Sequence, residues 1–214
     1  MSGQTPAPAQ RDPRAANGGA GHLGVVLAAG GSRRLGMPKQ LLRREGVTLL
    51  RRTVEKVLAT GADAVFVVLG AGLERMRGEL DGLQVTVVVN QGWSSGLASS
   101  LKAGACAVAA QRAGQVLLVG VDQPMLDAAH LARLLAAARE RPEHEVVSGY
   151  AGTIGIPAVV TRATLQQAGS LTGDRGLKTV LAARPRTVVD NPALAEDIDT
   201  PEALARLRAS GVLD

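Results

Sequence analysis

Residues 23–39 read LGVVLAAGGSRRLGMPK, an apolar run that leads into a glycine-rich loop and then into three basic side chains. The first six residues are apolar throughout rather than alternating, which is typical of a parallel strand buried on both faces. Further runs of this kind lie at 64–69, 84–89 and 116–121, and segments with helical spacing separate them at 48–59, 73–80 and 97–110. This repeated β-α-β order predicts an open, mostly parallel sheet with helices on both faces, a Rossmann-like three-layer α/β/α fold.

Beyond residue 121 the pattern is less regular but continues the same alternation. Asp127 is placed to cap a helix whose apolar residues fall at 131–138, and a further helix begins at Pro201, a residue that suits the first helical turn. The remaining elements are predicted strands at 146–150, 157–160 and 186–190, and predicted helices at 162–168 and 175–183. We interpret residues 22–214 as one domain, because they contain no internal repeat and no linker.

Residues 1–21 form a leader of different composition. They contain no Val, Ile, Leu or aromatic residue but many Pro, Gly and Ala residues, and such a segment buries too little apolar surface to fold. The leader also lacks the apolar stretch of a secretory signal, and no run in the chain approaches the ~20 apolar residues that span a bilayer. We therefore expect a disordered leader, a cytoplasmic location and no membrane partner.

Composition narrows the function further. The chain has 214 residues, of which 46% are hydrophobic, and a single cysteine, Cys106, so a disulfide framework and a thiolate metal cluster are excluded. The net charge is +5, but the basic residues are scattered and no aromatic residues lie among them to stack on bases, which argues against a nucleic-acid partner. Arginine dominates the basic residues, and its bidentate contacts favour a small polyanion such as a phosphate.

The loop after the first strand fits neither of two common phosphate motifs. The spacing of Gly31 and Gly36 matches the glycines of a P-loop, but Met37 and Pro38 stand where that motif needs Lys and Ser or Thr. A dinucleotide-binding G-x-G-x-x-G is also missing. The small residues and basic side chains that remain could wrap a triphosphate or form an ordinary turn. Lys39, one of four lysines in the chain, favours the phosphate interpretation.

The stretch from Ala28 to Lys39 resembles the signature L-A-[AG]-G-x-S-x-R-[ML]-G-x-x-K of the MobA/MocA-like nucleotidyltransferases, relatives of the enzymes that attach CMP or GMP to molybdopterin. The resemblance implies the nucleotide-diphospho-sugar transferase type of fold and a nucleoside triphosphate bound by this loop. The nucleotide-binding residues that it implies are Leu27, Ala28, Ala29, Gly30, Gly31 and Ser32. It also implies that Arg34 and Lys39 are catalytic, because they would stabilise the charge that builds on the departing pyrophosphate.

Residues 90–101 read NQGWSSGLASSL, follow the third predicted strand and lead into a predicted helix. Ser94 or Ser95 could simply cap that helix, whereas Asn90 and Ser99 are placed to hydrogen-bond a base and a ribose. The stretch is similar to the block N-x-x-W-x-x-G-x-x-x-S-L of the molybdopterin cytidylyltransferase branch, matched at Asn90, Trp93, Gly96, Ser100 and Leu101. This similarity implies nucleotide binding by Asn90, Gly96 and Ser99, and it favours CTP over GTP.

Asp122 is the first candidate for holding a metal ion. It follows a predicted apolar strand, where a carboxylate could ligate Mg²⁺ and bridge it to nucleotide phosphates. A role as a helix cap is the alternative, but Asp127 is better placed for that role. The D-x-P that begins at Asp122 also resembles the position of the metal-binding Asp in the family, and this implies catalysis and metal binding by Asp122.

A second acidic segment, residues 196–202, reads EDIDTPE. It could start a helix, with Asp199 or Thr200 as the cap and an acidic residue in the first turn. It also resembles the closing motif of the family, D-[IL]-D-T-P-E-D. The resemblance implies a second Mg²⁺ ligand in this segment, with Asp199 favoured over Asp197.

Two partial matches to the family concern the acceptor substrate. Residues 173–176 read GDRG and resemble a G-D-x-G that faces the acceptor, and residues 150–157 read YAGTIGIP and resemble a Y-x-G-x-x-G-[HN]-P. The acceptor-binding residues that they imply are Tyr150, Gly173 and Asp174. Ile156 departs from the family pattern, in which His or Asn is usual, and this leaves the identity of the acceptor open.

Together these patterns predict a Mg²⁺-dependent enzyme that moves NMP from a nucleoside triphosphate, with CTP favoured, to a phosphate-bearing acceptor, with molybdopterin favoured, and that releases pyrophosphate. The product would pass to a recipient molybdoenzyme or its chaperone. A guanylyltransferase, or a transferase that acts on a sugar or alcohol phosphate, is an alternative of the same fold. A non-catalytic nucleotide-binding cofactor chaperone is the alternative of another class; Lys39 and Asp122 argue against it, because a binding-only protein has less need of both.

Overall fold

The computed structural model describes residues 21–171 and 177–214. Its strands are β1 (His22–Leu27), β2 (Arg43–Arg44), β3 (Val47–Thr48), β4 (Ala64–Leu69), β5 (Thr86–Val89), β6 (Gln115–Gly120), β7 (Glu145–Tyr150), β8 (Thr153–Thr161) and β9 (Arg186–Asp190). Its α-helices are α1 (Leu49–Leu58), α2 (Leu73–Gly78), α3 (Leu97–Val108), α4 (Ala128–Glu140), α5 (Arg162–Gly169), α6 (Leu177–Leu181) and α7 (Pro201–Ala209). Over this part of the chain, none of the helices combines the length and the apolarity that a bilayer crossing requires.

Seven strands form one sheet in the order β5-β4-β1-β6-β8-β7-β9. Strand β1 pairs in parallel with both β4 and β6, and β4 pairs in parallel with β5. Strand β8 runs antiparallel to its neighbours β6 and β7, while β7 and β9 are parallel. The predicted single domain with a mostly parallel sheet is therefore confirmed, and the loops after β1 and β6 lie side by side.

Helices cover both faces of the sheet, because alternate residues of each strand point to opposite faces. On one face α1, α2 and α4 bury residues such as Val54 and Leu134 against the strands. On the other face α3, α5 and α6 do the same with residues such as Leu101 and Leu165. Strands buried on both faces have continuous apolar sequences, which is why the pattern analysis found them.

A third apolar cluster fastens the C-terminal helix near the loop that follows β1. Ile198 is fully buried and packs with Leu35 and Leu42 from the first part of the chain and with Leu204 and Leu207 from α7. Burying one such aliphatic side chain contributes about 1.5–3 kcal/mol of stability. The cluster therefore brings residues 197–199 to the end of the sheet at which β1 and β6 finish.

The observed elements differ from the predicted ones at several boundaries. Strand β5 begins at Thr86 rather than at residue 84, because its pairing with β4 starts there. Strand β8 begins at Thr153 rather than at residue 157, because it forms a hairpin with β7. Helix α6 spans Leu177–Leu181, and the start of the predicted helix 175–183 lies outside the described residues. The ribbon of β2 and β3 was not predicted, because two-residue strands carry no periodicity.

A buried histidine links α4 to the sheet. His130 is fully buried, its Nε2 lies 2.7 Å from Ser148 Oγ, and the Ser148 hydroxyl donates to the Pro157 carbonyl at 2.6 Å. Because the Ser148 hydroxyl gives its only proton to the Pro157 carbonyl, it must accept from His130. The Nε2 of His130 therefore carries a proton and donates it to Ser148 Oγ. Arg133 lies 3.1 Å from Nδ1 and donates to it. Burial first, and then the charge of Arg133, lowers the pKa of His130 below its ordinary value.

Because the pKa of His130 is lowered in the folded protein, we expect acid to destabilise the protein. Because the pKa of His130 is below 6.5 in the folded state, the unfolded chain binds more protons as the pH falls through that value. The free energy of unfolding should therefore fall below about pH 6.5, by at most about 1.4 kcal/mol per pH unit for one histidine. In His130→Gln, whose amide can still donate to Ser148, urea unfolding at several pH values should show a shallower fall. An equal fall in both proteins would contradict the assignment.

Candidate functional site

A cavity of about 700 Å³ lies at the carboxyl ends of the central strands, the edge at which open α/β sheets bind ligands. The loops after β1 and β6 form two of its walls, and residues around 93–97 and 194–199, together with Tyr150 and Ile156, complete its lining. The predicted site residues that line it are Leu27, Ala28, Ala29, Gly30, Gly31, Ser32, Arg34, Lys39, Gly96, Asp122, Tyr150 and Asp199. Most of the positions singled out in the sequence are thus brought together in one place.

The loop after β1 has its carbonyl groups bound by the protein. The side-chain amide of Gln40 donates to the carbonyls of Ala28, at 2.8 Å, and Gly30, at 2.7 Å, and the N–H of Ala71 donates to the carbonyl of Ala29 at 3.1 Å. Within residues 21–171 and 177–214, no backbone carbonyl accepts a hydrogen bond from the N–H groups of residues 29–32. A row of such N–H groups beside cationic side chains is suited to an anion.

Lys39 lies at the centre of the charges in the cavity. Its backbone N–H donates to Ser32 Oγ at 3.2 Å, and its Nζ donates to Asp122 Oδ2 at 3.2 Å and to Asp199 Oδ1 at 2.8 Å. Burial alone would lower the pKa of Lys39, but the two carboxylates together raise that pKa above its ordinary value. The lysine is therefore cationic at neutral pH, and it gathers two carboxylates from distant parts of the chain.

Asp197 and Asp199 reach the cavity because Ile198 between them is buried. The N–H of Ile198 donates to the carbonyl of Asp122 at 3.1 Å, which ties the C-terminal segment to the loop after β6. In extended backbone, alternate side chains point to the same side. The burial of Ile198 thus places the carboxylates of Asp197 and Asp199 near that of Asp122.

Asp197 and Asp199 have pKa shifts of opposite direction. Burial alone would raise the pKa of Asp199, but hydrogen bonds and charges from Lys39 and Arg34 outweigh burial, and the pKa of Asp199 is lowered. Burial first, and then the charges of Asp199 and Asp122, raises the pKa of Asp197. Asp199 is therefore the better anionic ligand of the two at neutral pH.

Other residues supply the helix caps near these carboxylates. Thr200 caps α7 and Asp127 caps α4, each accepting from the N–H three residues on, at 3.2 Å and 2.7 Å. The prediction for Asp127 is confirmed, and of the two caps considered for α7 the observed one is Thr200. Asp122 and Asp199 are consequently free of capping roles.

Two carboxylates in the cavity are placed to hold a metal ion. Oxygens of Asp122 and Asp199 both accept from Lys39 Nζ, so the two carboxylates converge on one cationic point. Among the residues that the structure describes, no three His, Cys, Asp or Glu side chains form a group that could hold a metal ion. Magnesium commonly takes only one or two carboxylates and completes its shell with substrate phosphates and water. The pair fits that mode of binding.

Asn90 organises its own loop. It is buried, its amide nitrogen donates to Ser99 Oγ at 2.9 Å and Ser100 Oγ at 3.1 Å, and its Oδ1 accepts from the Gly92 N–H at 3.0 Å. Asn90 and Ser99 line a neighbouring groove between α3 and α5 rather than the cavity, whereas Ser100 and Gly96 reach the cavity. Nucleotide contacts by Asn90 and Ser99 stay predictions.

Trp93 packs on the first loop. Cβ atoms built on Gly31 and Gly70 would lie 2.7 Å and 2.6 Å from the Trp93 side chain, so both glycines make room for it. The guanidinium of Arg33 lies 5.9 Å from the centre of the Trp93 ring, a cation–π distance. Helix α3, which follows, has no side-chain cap, so the capping alternative for the serines next to Trp93 is wrong.

We expect a side chain at position 70 to clash with Trp93 and with the first loop. In Gly70→Ala the new Cβ would lie 2.6 Å from Trp93 Cβ and 2.9 Å from the carbonyl oxygen of Ala29, so both loops must move. We expect a loss of about 1–3 kcal/mol in the free energy of unfolding, measured in urea. Gly78→Ala is the matched control, because a Cβ there meets open space. Equal stability of the two variants would contradict the close packing.

The predicted acceptor residues are only partly described. Tyr150 lines the cavity, and its hydroxyl donates to the carbonyl of Ile156 at 3.2 Å. Ile156 also lines the cavity, so the departure from the family pattern lies at the site itself. Gly173 and Asp174 lie outside the described residues. Acceptor binding by all of these residues remains a prediction.

Sequence reasoning missed two residues that shape the cavity. Gln40 is buried beneath the first loop and Gly70 lies beneath Trp93. Gln40 directly follows Lys39, which is the one sequence signal that could have drawn attention to it. Gly70 directly follows an apolar strand and resembles any glycine between a strand and a helix. Their importance depends on contacts with residues far away in the sequence.

The chain is similar to proteins of a known family. A family model described as the MobA-like NTP transferase domain matches residues 24–188. The nicotine blue oxidoreductase of Paenarthrobacter nicotinovorans is 34% identical over 198 residues, which cover 86% of this chain and 95% of the relative. A probable molybdenum cofactor guanylyltransferase of Opitutus terrae is 32% identical over 117 residues, which are 55% of each protein.

Two solved structures are also similar to this chain. Rv0371c of Mycobacterium tuberculosis H37Rv is 30% identical, with a TM-score of 0.76, over 88% of this chain and 97% of that one. A structure of Rv0371c in complex with manganese is 28% identical, with a TM-score of 0.72, over 89% of this chain and 99% of that one. In both comparisons the likeness extends over nearly nine-tenths of this chain.

Proposed function

We propose a specific reaction for this chain, which belongs to the MobA-like NTP transferase family and is a nucleotidyltransferase of the nucleotide-diphospho-sugar transferase fold. In the proposed reaction it transfers CMP from CTP to the phosphate of molybdopterin. The observation that carries the proposal is the position of Lys39, which bonds Asp122 and Asp199 beside a loop rich in N–H groups. Such a site offers cations and N–H donors to a triphosphate and carboxylates to its metal ion.

In this proposal the first loop binds the triphosphate. The N–H groups of residues 29–32 donate to phosphate oxygens, and the side chains of Arg34 and Lys39 balance the charge on the β- and γ-phosphates. An oxygen of the acceptor phosphate attacks the α-phosphorus, the bond to the bridging oxygen of the β-phosphate breaks, and pyrophosphate leaves with the electron pair. Arg34 and Lys39 stabilise the charge that accumulates on this leaving group.

In the same scheme Asp122 and Asp199 would hold a magnesium ion, which would offset the negative charge of the phosphates and so make the α-phosphorus easier to attack. To free the two carboxylates, Lys39 must turn its ammonium group from them toward the phosphates. Manganese in the Rv0371c complex supports a divalent cation in this family.

CTP is the favoured nucleotide because of the block from Asn90 to Leu101, which resembles the cytidylyltransferase branch. The relative from Opitutus terrae is named a guanylyltransferase, so GTP is the competing donor. The acceptor enters from the side of Tyr150 and Ile156, and the product passes to a molybdoenzyme or its chaperone.

Product analysis tests the proposal. The protein is incubated with Mg²⁺, molybdopterin and each of CTP, GTP, ATP and UTP, and both pyrophosphate and the dinucleotide product are measured. We expect pyrophosphate and a cytidine-containing product that form in step and require the acceptor. A guanosine-containing product would move the proposal to guanylyl transfer, and nucleotide binding without pyrophosphate would favour a cofactor chaperone.

One relative has the name of an oxidoreductase, and that activity belongs to the relative. The described cavity collects carboxylates, cations and N–H groups, which supports phosphoryl-group chemistry for this chain.

A further inference from the structure

Gln40 occupies an unusual buried position under the first loop. It is only 1% exposed, and its Nε2 donates to the carbonyls of Ala28 and Gly30. Its Oε1 is buried and has no hydrogen-bond partner among the described residues. Both neighbours of Nε2 are acceptors, so the amide nitrogen, and not the oxygen, must face them. The side chain thus leaves one polar atom unsatisfied in order to hold two backbone carbonyls.

Holding a carbonyl also fixes an N–H group. A peptide unit is planar and trans, so its C=O and its N–H point in opposite directions. The carbonyls of Ala28 and Gly30 share peptide units with the N–H groups of Ala29 and Gly31. Gln40 therefore orients these two N–H groups. The carbonyl of Ala29, bound by the N–H of Ala71, orients the N–H of Gly30 between them.

We propose that Gln40 is a positioning residue for the nucleotide: its amide aims the N–H groups of Ala29 and Gly31 at the triphosphate. The inference rests on the proposed function, because it assumes that this loop binds phosphate. Gln40 is almost fully buried, so in this proposal it acts through the backbone of the loop. Its position directly after Lys39 means that the same short turn carries the lysine and supports the loop.

Two variants test the inference by calorimetric titration. Gln40→Met keeps the length of the side chain but removes both donors, so the affinity for Mg²⁺–CTP should fall on the order of 10- to 100-fold, as expected when binding groups are misplaced. The affinity for Mn²⁺ alone should stay unchanged, because Asp122 and Asp199 are untouched. Gln115→Met is the matched control: Gln115 Nε2 also donates to a backbone carbonyl, that of Ala138 at 3.1 Å, but Gln115 lies outside the cavity.

Gln40→Glu adds a readout that a merely structural role would not give. At high pH its carboxylate repels the two carbonyls, whereas the protonated acid regains one donor. The affinity of this variant for Mg²⁺–CTP, taken relative to that of the wild type at each pH, should therefore improve as the pH is lowered. If Gln40→Met does not fold, this pH dependence decides alone.

The outcomes separate this inference from the proposed function. Wild-type protein that binds no nucleotide with Mg²⁺ would overturn the proposed function and the inference with it. Wild-type binding together with unchanged affinity in Gln40→Met would overturn the inference alone. A parallel loss of affinity for Mn²⁺ and for Mg²⁺–CTP would also overturn it, because Gln40 would then support the fold as a whole.

Discussion

Replacing Asp122 with alanine should leave the fold intact and lower turnover at least ~100-fold, the scale expected when a preorganised charge is removed. The carboxylate is 37% exposed, and its bond to Lys39 Nζ, at 3.2 Å, is a contact within the site rather than a support of the core. Its removal takes away one of the two carboxylates proposed to hold the metal ion. Pyrophosphate release with the acceptor present measures the effect.

Asp81→Ala is the matched control for this change. Asp81 is exposed and does not line the cavity, so its loss of one negative charge should leave turnover unchanged. Thermal unfolding of both variants checks that they are folded. Near-normal turnover in a folded Asp122→Ala protein would refute the metal-binding role of Asp122.

Replacing Lys39 with methionine should lower turnover on the order of 10²- to 10³-fold, because the leaving pyrophosphate loses one of the two cations proposed to stabilise its charge. The same variant should bind Mn²⁺ more tightly in the absence of nucleotide. The ammonium group bonds both Asp122 and Asp199, and its removal frees the carboxylates for another cation. Electron paramagnetic resonance of unbound Mn²⁺ measures that affinity.

Lys102→Met is the control for Lys39, because Lys102 is exposed and lies outside the cavity. The expected pattern is loss of turnover with gain of Mn²⁺ affinity in the Lys39 variant and neither effect in the control. Weaker Mn²⁺ binding by Lys39→Met would show that the lysine builds the carboxylate pair instead of competing with the metal ion for it.

The sheet could be predicted from the sequence because its strands are buried on both faces. Val25 and Val119, for example, lie in runs that are apolar at every position, and such runs can be recognised in a single sequence. The loops after β1 and β6 could then be placed together, since the ends of parallel strands meet at one edge. Arg34, Lys39 and Asp122 were found on this basis and through the family signature.

Other parts of the site depend on contacts that no local pattern contains. Asn90 is predicted to bind the nucleotide, and its observed bonds to Ser99 and Ser100 at the start of α3 could not be foreseen from the sequence. Gln40 gives no local signal, because glutamine is mostly exposed in proteins whereas this one is buried. The pairing of Asp199 with Lys39 requires Ile198 to dock in a cluster built from both ends of the chain. Long-range packing of this kind is not visible in sequence periodicity.

The most direct test of the central claim is thermal unfolding of the wild-type protein and Asp122→Ala with each nucleoside triphosphate, with and without Mg²⁺. A ligand present at 100 times its Kd adds ~2.7 kcal/mol of stability. We predict a rise in Tm with CTP that requires Mg²⁺ in the wild-type protein and is lost in Asp122→Ala. No rise with any nucleotide at millimolar concentration, or an equal rise in both proteins, would contradict a metal–triphosphate site between the first loop and Asp122.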